Sequence, residues 1–546
     1  MTKTVTPHLR KLSTIEDEAT GDFYVRFSIR TEDGCKREIE LPRADLTEPT
    51  TLAKKLFGLG AVLPPKGQRA AYLSKLADAP CSRNLKRVGR SGWQDNFLTF
   101  VWQTKVLGID EGRLIGPRVS TDESERGRVR ISGTYESWKD SVGVLSKFSS
   151  YAMLAVASAF AAPLLLVSAE DSFAICLAAR TRSGKTAIAQ MGASVVGLGQ
   201  KSNLMTWHNT EAGLEEQLPR FNDCLSVIDD FETMKGSDVH KYERIRNVSY
   251  GVGAGAEKQR HSSFATRTRL WRTIVITSME KPIYVLAAKT KQTRQPGETV
   301  RLIDIPVLSK DRDHIFDLAE DGGSQISREW KTKAFNSIIN ACRDNHGATF
   351  QRYVTTLCKD ATLTKQQTDK YRGRFVLKVS LSEDGDMAND LARKFGLIYA
   401  GGAIAIQQKL VPWTRSELFR AVAKCYRAAR DLLPDEGVET RKGLQLLQAE
   451  LEKLKSKKAI SSFDTEIGYR IKKNGTIRYV MKTKDFNSIF DSPHQRALVE
   501  ATLANSKRLT MTNPKNAHGR RAAKRQPLWP DGKRRRSIAI LSADKV

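Results

Sequence analysis

The segment ARTRSGKT, Ala179 to Thr186, has the residue types and spacing of a loop that cradles phosphates. It follows the apolar run FAICLA and precedes the helix-like AIAQMGASVVG, the strand, loop, helix order that a P-loop needs. Backbone amides of Ala179, Arg180, Thr181, Arg182, Ser183 and Gly184, continuing through Lys185, Thr186 and Ala187 at the helix start, would surround a polyphosphate. Lys185 would reach the β- and γ-phosphates of ATP, and the Thr186 hydroxyl would hold Mg²⁺. Ala179 stands where the G-x-x-x-x-G-K-[ST] pattern has its first glycine, so it can serve only with a negative φ.

The acidic half of such a site must lie on a neighbouring strand. CLSVIDD, Cys224 to Asp230, is an apolar run ending in two carboxylates, as a Walker B strand requires. Asp229 would hold the metal with Thr186, and Asp230 would polarise the attacking water, with Glu232 in reserve as the base. A third run, TIVITS, ends in Thr277 and Ser278, polar residues placed to sense a γ-phosphate. GETVRLIDIP puts Arg301 at the opening of a further strand, from which it could reach the γ-phosphate of a neighbouring subunit.

Charge points to a polyanionic partner. The 546 residues carry 90 Lys and Arg against 61 Asp and Glu, a net charge of +29. Cations that neutralise phosphates release counterions, so nucleic acid is the expected partner, DNA before RNA. Two regions would make the contact. Between the acidic strand and TIVITS, Gly251 to Arg272 joins mobile glycines to Lys258, Arg260, Arg267, Arg269 and Arg272 against Glu257, and Lys258 and Arg260 are the candidate contacts. Near the C-terminal end, Arg520, Arg521, Lys524, Arg525, Arg534, Arg535 and Arg536 face only Asp531.

The elements that must position these groups are legible from periodicity. FYVRFSIRT, a turn at Asp33-Gly34 and KREIEL predict a hairpin; Thr50 to Leu59 and Gln68 to Ala77 predict helices. The alternation of FAICLA, CLSVID, TIVITS and RLIDIP with helical stretches predicts a mostly parallel sheet covered on both faces. Tyr151 to Ser168 has no charge, but its small residues and Pro163 predict a core helix beside that sheet, not a membrane span. Asn474-Gly475 between alternating strands predicts a second hairpin, and the helices and strands that follow suggest a winged-helix-like module. The resulting expectation is an α/β chain with a RecA/AAA+-like parallel sheet as its P-loop NTPase core. Its divisions are a frayed 1–20, an α+β domain 21–135, the core 136–310, a helical domain 311–460 and a basic winged-helix-like domain 461–546. Seven scattered cysteines without a C-x-x-C pair predict neither zinc cluster nor disulfide framework, and no secretory signal opens the chain, so a cytoplasmic location is expected.

The motifs in order are Gly184-Lys185-Thr186, TWHNTEAGLEEQL, NDCLSVIDD, YGVGAGAEKQR, WRTIVITSME, VRLIDIP and FGLIYAGGAIAIQQKLVPWTRSEL. Together they resemble the domain of unknown function 927 family, over about residues 20 to 540. That resemblance implies a helicase-like P-loop ATPase of bacteria, phages and mobile elements. Ala179 and Asp230 depart from the family's usual glycine and glutamate. The expected activity is Mg²⁺-dependent ATP hydrolysis on nucleic acid by an oligomeric helicase or translocase, a hexameric ring being one form. The alternative is a nucleotide-switched DNA-binding regulator that hydrolyses ATP slowly and unwinds nothing.

Overall fold

The computed structural model describes residues 8–81, 83–94, 97–109, 112–117, 128–257, 269–292, 294–308, 312–319, 326–382, 384–433, 436–455, 468–473, 476–511 and 537–541. The chain divides into two compact units: Met1–Val379 with Ala392–Ala429, and Ser380–Leu391 with Arg430–Val546.

In the first unit, β1 (Leu9–Asp17), β2 (Phe23–Arg30) and β3 (Lys36–Pro42) are followed by α1 (Pro49–Gly58), α2 (Lys66–Asp78) and β4 (Asn84–Arg87). Next come β5 (Gly92–Trp93), β6 (Thr99–Trp102), β7 (Lys105–Gly108) and β8 (Leu114–Ile115). The expected hairpin pairs β2 with β3, and one sheet runs in the order β3-β2-β1-β4-β8. Residues 9–17, expected to be frayed, are the middle strand of that sheet. They bury Leu9 on one face and, past a register shift between Lys11 and Ser13, Ser13, Ile15 and Asp17 on the other; Asp17 pairs with the buried Arg87 at 3.3 Å. Polar composition hid the strand because Lys11 and Asp17 find partners far along the chain, at Ala77, Ala79 and Arg87.

Two short helices, α3 (Tyr135–Trp138) and α4 (Val144–Ser146), lead into α5 (Ser150–Ala161), whose residues are all buried. Then follow β9 (Phe173–Ala178), α6 (Lys185–Val195), β10 (Met205–Thr206), α7 (Glu211–Gln217), β11 (Cys224–Asp229) and α8 (Asp238–Ala254). The sheet is completed by β12 (Thr273–Met279), α9 (Ile283–Lys289), α10 (Pro296–Arg301) and β13 (Leu302–Pro306). Its five strands are parallel, in the order β10-β11-β12-β9-β13. FAICLA, CLSVID and TIVITSM are buried at every position, because helices cover both faces of the sheet. The acidic strand was expected beside the loop strand. Instead β12 lies between them, so β9 and β11 share no hydrogen bonds.

Five helices complete this region: α11 (Arg328–Asp344), α12 (Ala348–Leu357), α13 (Ala361–Val379), α14 (Asp386–Gln407) and α15 (Arg415–Arg430). Small residues let α14 close on α5: a Cβ on Gly401 would stand 2.5 Å from the Ala161 backbone N. Among the described residues no helix is long and apolar enough to cross a membrane.

The second unit contains α16 (Glu436–Lys455), β14 (Gly468–Lys473), β15 (Thr476–Lys482), α17 (Thr483–Asn487), α18 (Pro493–Asn505), β16 (Leu509–Met511) and β17 (Ser537–Leu541). The strands form an antiparallel sheet, β14-β15-β17-β16, in which β14 and β15 are the expected pair. Its core gathers Leu447, Tyr479, Met481, Phe486, Val499 and Ile540.

Candidate functional site

The loop after β9 is shaped by two left-handed residues, Arg182 (φ 63°) and Gly184 (φ 106°). Ala179 keeps φ out of that region and donates its N–H to Met279 O at 2.9 Å, so an alanine fits there without strain. Gly184 has no such latitude. A Cβ there would lie 2.4 Å from Phe335 Cε1 and 3.0 Å from Ile315 Cδ1. α6 begins at once, and its first internal bond runs from Ile188 N–H to Gly184 O (3.1 Å). The amides ahead of Ile188 therefore have no partner within the helix, which makes this end attractive to an anion.

A cavity of about 750 Å³ opens in front of the loop. Residues 181–187 line it on one side, and Asp230, Glu232, Ser278 and Glu280 on another. Lys185 is 8% exposed, and its Nζ donates to the Ala179 carbonyl. Burial lowers its pKa, while Glu232, Glu280 and Asp229 act in the opposite sense. Asp229 is fully buried at the end of β11, with Oδ1 accepting from the Ser278 hydroxyl and Oδ2 lacking any hydrogen-bond partner among the described residues.

Thr277 does not line the cavity; its hydroxyl accepts from Trp207 Nε1 at 2.7 Å. Ser278, one residue on, faces the cavity because alternate strand residues point to opposite sides. Asp230 adopts a left-handed backbone (φ 57°) and pairs with Lys201 Nζ at 3.0 Å. Glu232 accepts from the Glu280 N–H at 2.6 Å, and Glu280 in turn accepts from the Thr181 hydroxyl.

The residues present fit a metal-bound nucleotide. An orphaned carboxylate oxygen on Asp229 and an unpartnered buried hydroxyl on Ser183 stand beside a loop of amides. Both groups are costly to bury unless a ligand satisfies them.

Arg301 lies elsewhere. It is the last residue of α10 and precedes β13, whose Leu302 is level with Ala174 and whose Pro306 is level with Ala178. Arg301 is thus at the edge of the sheet away from the loop, roughly 17 Å along the strand direction. There its guanidinium stacks on Tyr250 at 5.2 Å and donates to Gly297 O at 2.9 Å.

The basic contacts Lys258, Arg260, Arg520, Arg521, Lys524, Arg525, Arg534, Arg535 and Arg536 lie outside the described residues. The flanks of the first region are visible and pair: Ala256 bridges Leu270 antiparallel, and Glu257 N–H donates to Arg269 O at 3.0 Å. Arg272 is occupied by the buried Asp223 at 2.6 Å.

Sequence reasoning missed the third wall of the cavity. Phe335, Ile339 and Arg343 reach it from α11, and Gln190, Gln200 and Lys201 from α6 and the segment after it. The i, i+4, i+8 spacing of the first three marks one helix face, yet nothing local says what that face meets.

The fold and site define a mixed α/β protein built on a parallel sheet, with a glycine-turned loop and buried acid at the sheet's C-terminal edge. Residues 6–267 match the family Domain of unknown function (DUF927), which is the family read from the motifs. The match is shorter than the motif reading, ending before β12. A solved structure described as "SCCmec type IV Cch - active helicase" is similar in fold, with a TM-score of 0.56 at 13% identity, covering 97% of this chain and 93% of that one. A second, "The A form apo structure of NrS-1 C terminal region-CTR", aligns at 11% identity over 76% of this chain and 91% of that one. Its TM-score of 0.28 is too low to bear on the fold. No curated protein matches the chain.

Proposed function

We propose that this chain is a Mg²⁺-dependent ATPase with a P-loop core, acting on nucleic acid as an oligomeric helicase or translocase. The setting would be a mobile element, phage or bacterial DNA-processing system. One observation carries the reading: a left-handed Gly184 turn and the orphaned Oδ2 of Asp229 belong to the same small region at the edge of the parallel sheet.

Lys185 and the 180–186 amides bind the triphosphate, the Ala179 amide being held by Met279 O, and Lys185 leaves the Ala179 carbonyl for phosphate oxygen. Thr186 and Asp229 would hold Mg²⁺, which neutralises charge on the phosphate oxygens when bound. Ser278 senses the terminal phosphate, and Thr277 steadies the strand through Trp207. Asp230 orients the attacking water once Lys201 turns toward phosphate, and Glu232 stands beside it on the Glu280 amide. Arg301 serves a neighbouring subunit's site. Residues 461–546 act as the basic winged-helix-like module. ATP turnover measured with and without single- and double-stranded DNA, beside a mass measurement in ATP, tests this. Turnover that ignores nucleic acid and a mass that stays monomeric would sink the translocase.

A second reading is a nucleotide-switched regulator that hydrolyses slowly. The Lys201–Asp230 ion pair favours it, because the pair holds the water-orienting carboxylate away from chemistry. A strand-displacement assay separates the two, since the regulator binds but does not displace.

A further inference from the structure

Helix α13 carries an exposed face unlike the rest of its surface. Lys370, Arg374 and Lys378 recur at i, i+4 and i+8, so they lie along one side of the helix, and all three are exposed. Among the described residues none of them pairs with a carboxylate. The other cations of this helix are neutralised: Lys365 by Asp369 at 2.9 Å, and Arg372 by the buried Glu170. The same face bears Leu377, 84% exposed.

The face continues onto the start of α15. Arg415 donates to the Tyr371 hydroxyl at 2.9 Å and stacks over that ring at 5.1 Å, while Lys378 sits over Phe419 at 5.2 Å. Beside Lys370 and Arg415 is a cavity of about 480 Å³ whose other walls are Leu363, Gln366, Gln367, Tyr371 and Gln407. Among the described residues its walls offer two cations, three amides and no acid. A merely solvated helix face has no need to exclude acids from both the stripe and the adjoining cavity. Unneutralised cations in a row, with an exposed aliphatic side chain and amides among them, suit a chain of phosphodiesters carrying sugars and bases.

We propose that the α13–α15 face is a phosphate-backbone contact for a single nucleic-acid strand, separate from both basic regions of the sequence. The inference rests on the nucleic-acid part of the proposed function. The test is binding of the full chain to a fluorescent single-stranded DNA oligonucleotide, followed by anisotropy across salt. The probe is compared for the wild type, K370A/R374A/K378A and K365A. For single strands each lost phosphate contact removes about 0.7 from the slope of log K against log salt, so the triple variant should flatten it by about 2. Its affinity at low salt should fall roughly tenfold or more, while K365A behaves as wild type. ATP turnover without DNA should be unchanged in both variants. Wild-type slope and affinity in the triple variant, or an equal loss in K365A, would overturn the face as a contact while leaving the proposed function standing. Failure of the wild type itself to bind DNA would overturn both. Binding of polyglutamate that competes for the face as well as DNA does would assign it to an acidic protein and also overturn the proposal.

Discussion

Gly184→Ala tests the loop most directly, because two separate penalties meet at that residue. At φ 106° an L-residue is in the left-handed half of conformational space, which costs about 1–2 kcal/mol. The added methyl would lie 2.4 Å and 2.9 Å from Phe335 Cε1 and Cζ. Phe335 cannot simply swing away, since its ring packs on Phe316 at 5.0 Å. Overpacking of this kind costs about 1–3 kcal/mol. The loop can relieve both by leaving its nucleotide-ready shape, and apparent affinity then falls by the fraction of chains still in that shape. A sum of about 2–5 kcal/mol means a loss of roughly thirty- to several-thousand-fold in affinity for Mg·ATP. Titration calorimetry reads it, with circular dichroism to show that the fold persists. Adding Phe335→Leu should restore the steric share of the loss and leave the backbone share. Wild-type affinity in Gly184→Ala would refute the argument that this turn wraps a triphosphate.

Lys185→Ala should abolish ATP turnover with an unchanged circular dichroism spectrum, and retained turnover would remove Lys185 from the mechanism. Asp223→Ala should destabilise the first unit by about 3 kcal/mol. It leaves Arg272 and the Trp93 amide without the buried carboxylate they now share, at 2.6 and 3.0 Å, and calorimetric melting would show it. The N-terminal sheet should be acid-labile through Glu40. Burial alone would raise its carboxyl, but Arg26 and Arg87 hold it below its ordinary 4.5. A depressed carboxyl contributes its stability above the unfolded value and loses it as pH falls through the folded one, so the loss lies below pH 4.5. Urea midpoints of wild type and Glu40→Gln should therefore differ near neutrality and converge in acid. A constant difference would disprove the linkage.

Much of the scaffold was legible in the residues. FAICLA, CLSVID, TIVITS and RLIDIP each became a strand of one parallel sheet, because continuous apolar runs have to be buried on both faces. The uncharged Tyr151 to Ser168 stretch became the wholly buried α5 beside that sheet, followed by a short turn at Pro163. One strand was missed: residues 9–17, expected to be frayed, form β1.

Local pattern therefore determined which segments are strands, which are helices, and that a glycine-lysine-threonine turn joins one to the other. It did so because backbone sterics and side-chain burial repeat with periods of two and 3.6 residues along a single segment. Tertiary structure alone decided three other things. It inserted β12 between the loop strand and the acidic strand, it carried Arg301 to the far edge of the sheet, and it brought Lys201, Glu280 and the Phe335–Arg343 face of α11 to the cavity. Strand order and helix docking are set by contacts between residues tens to hundreds of positions apart, and no local period encodes such a partner.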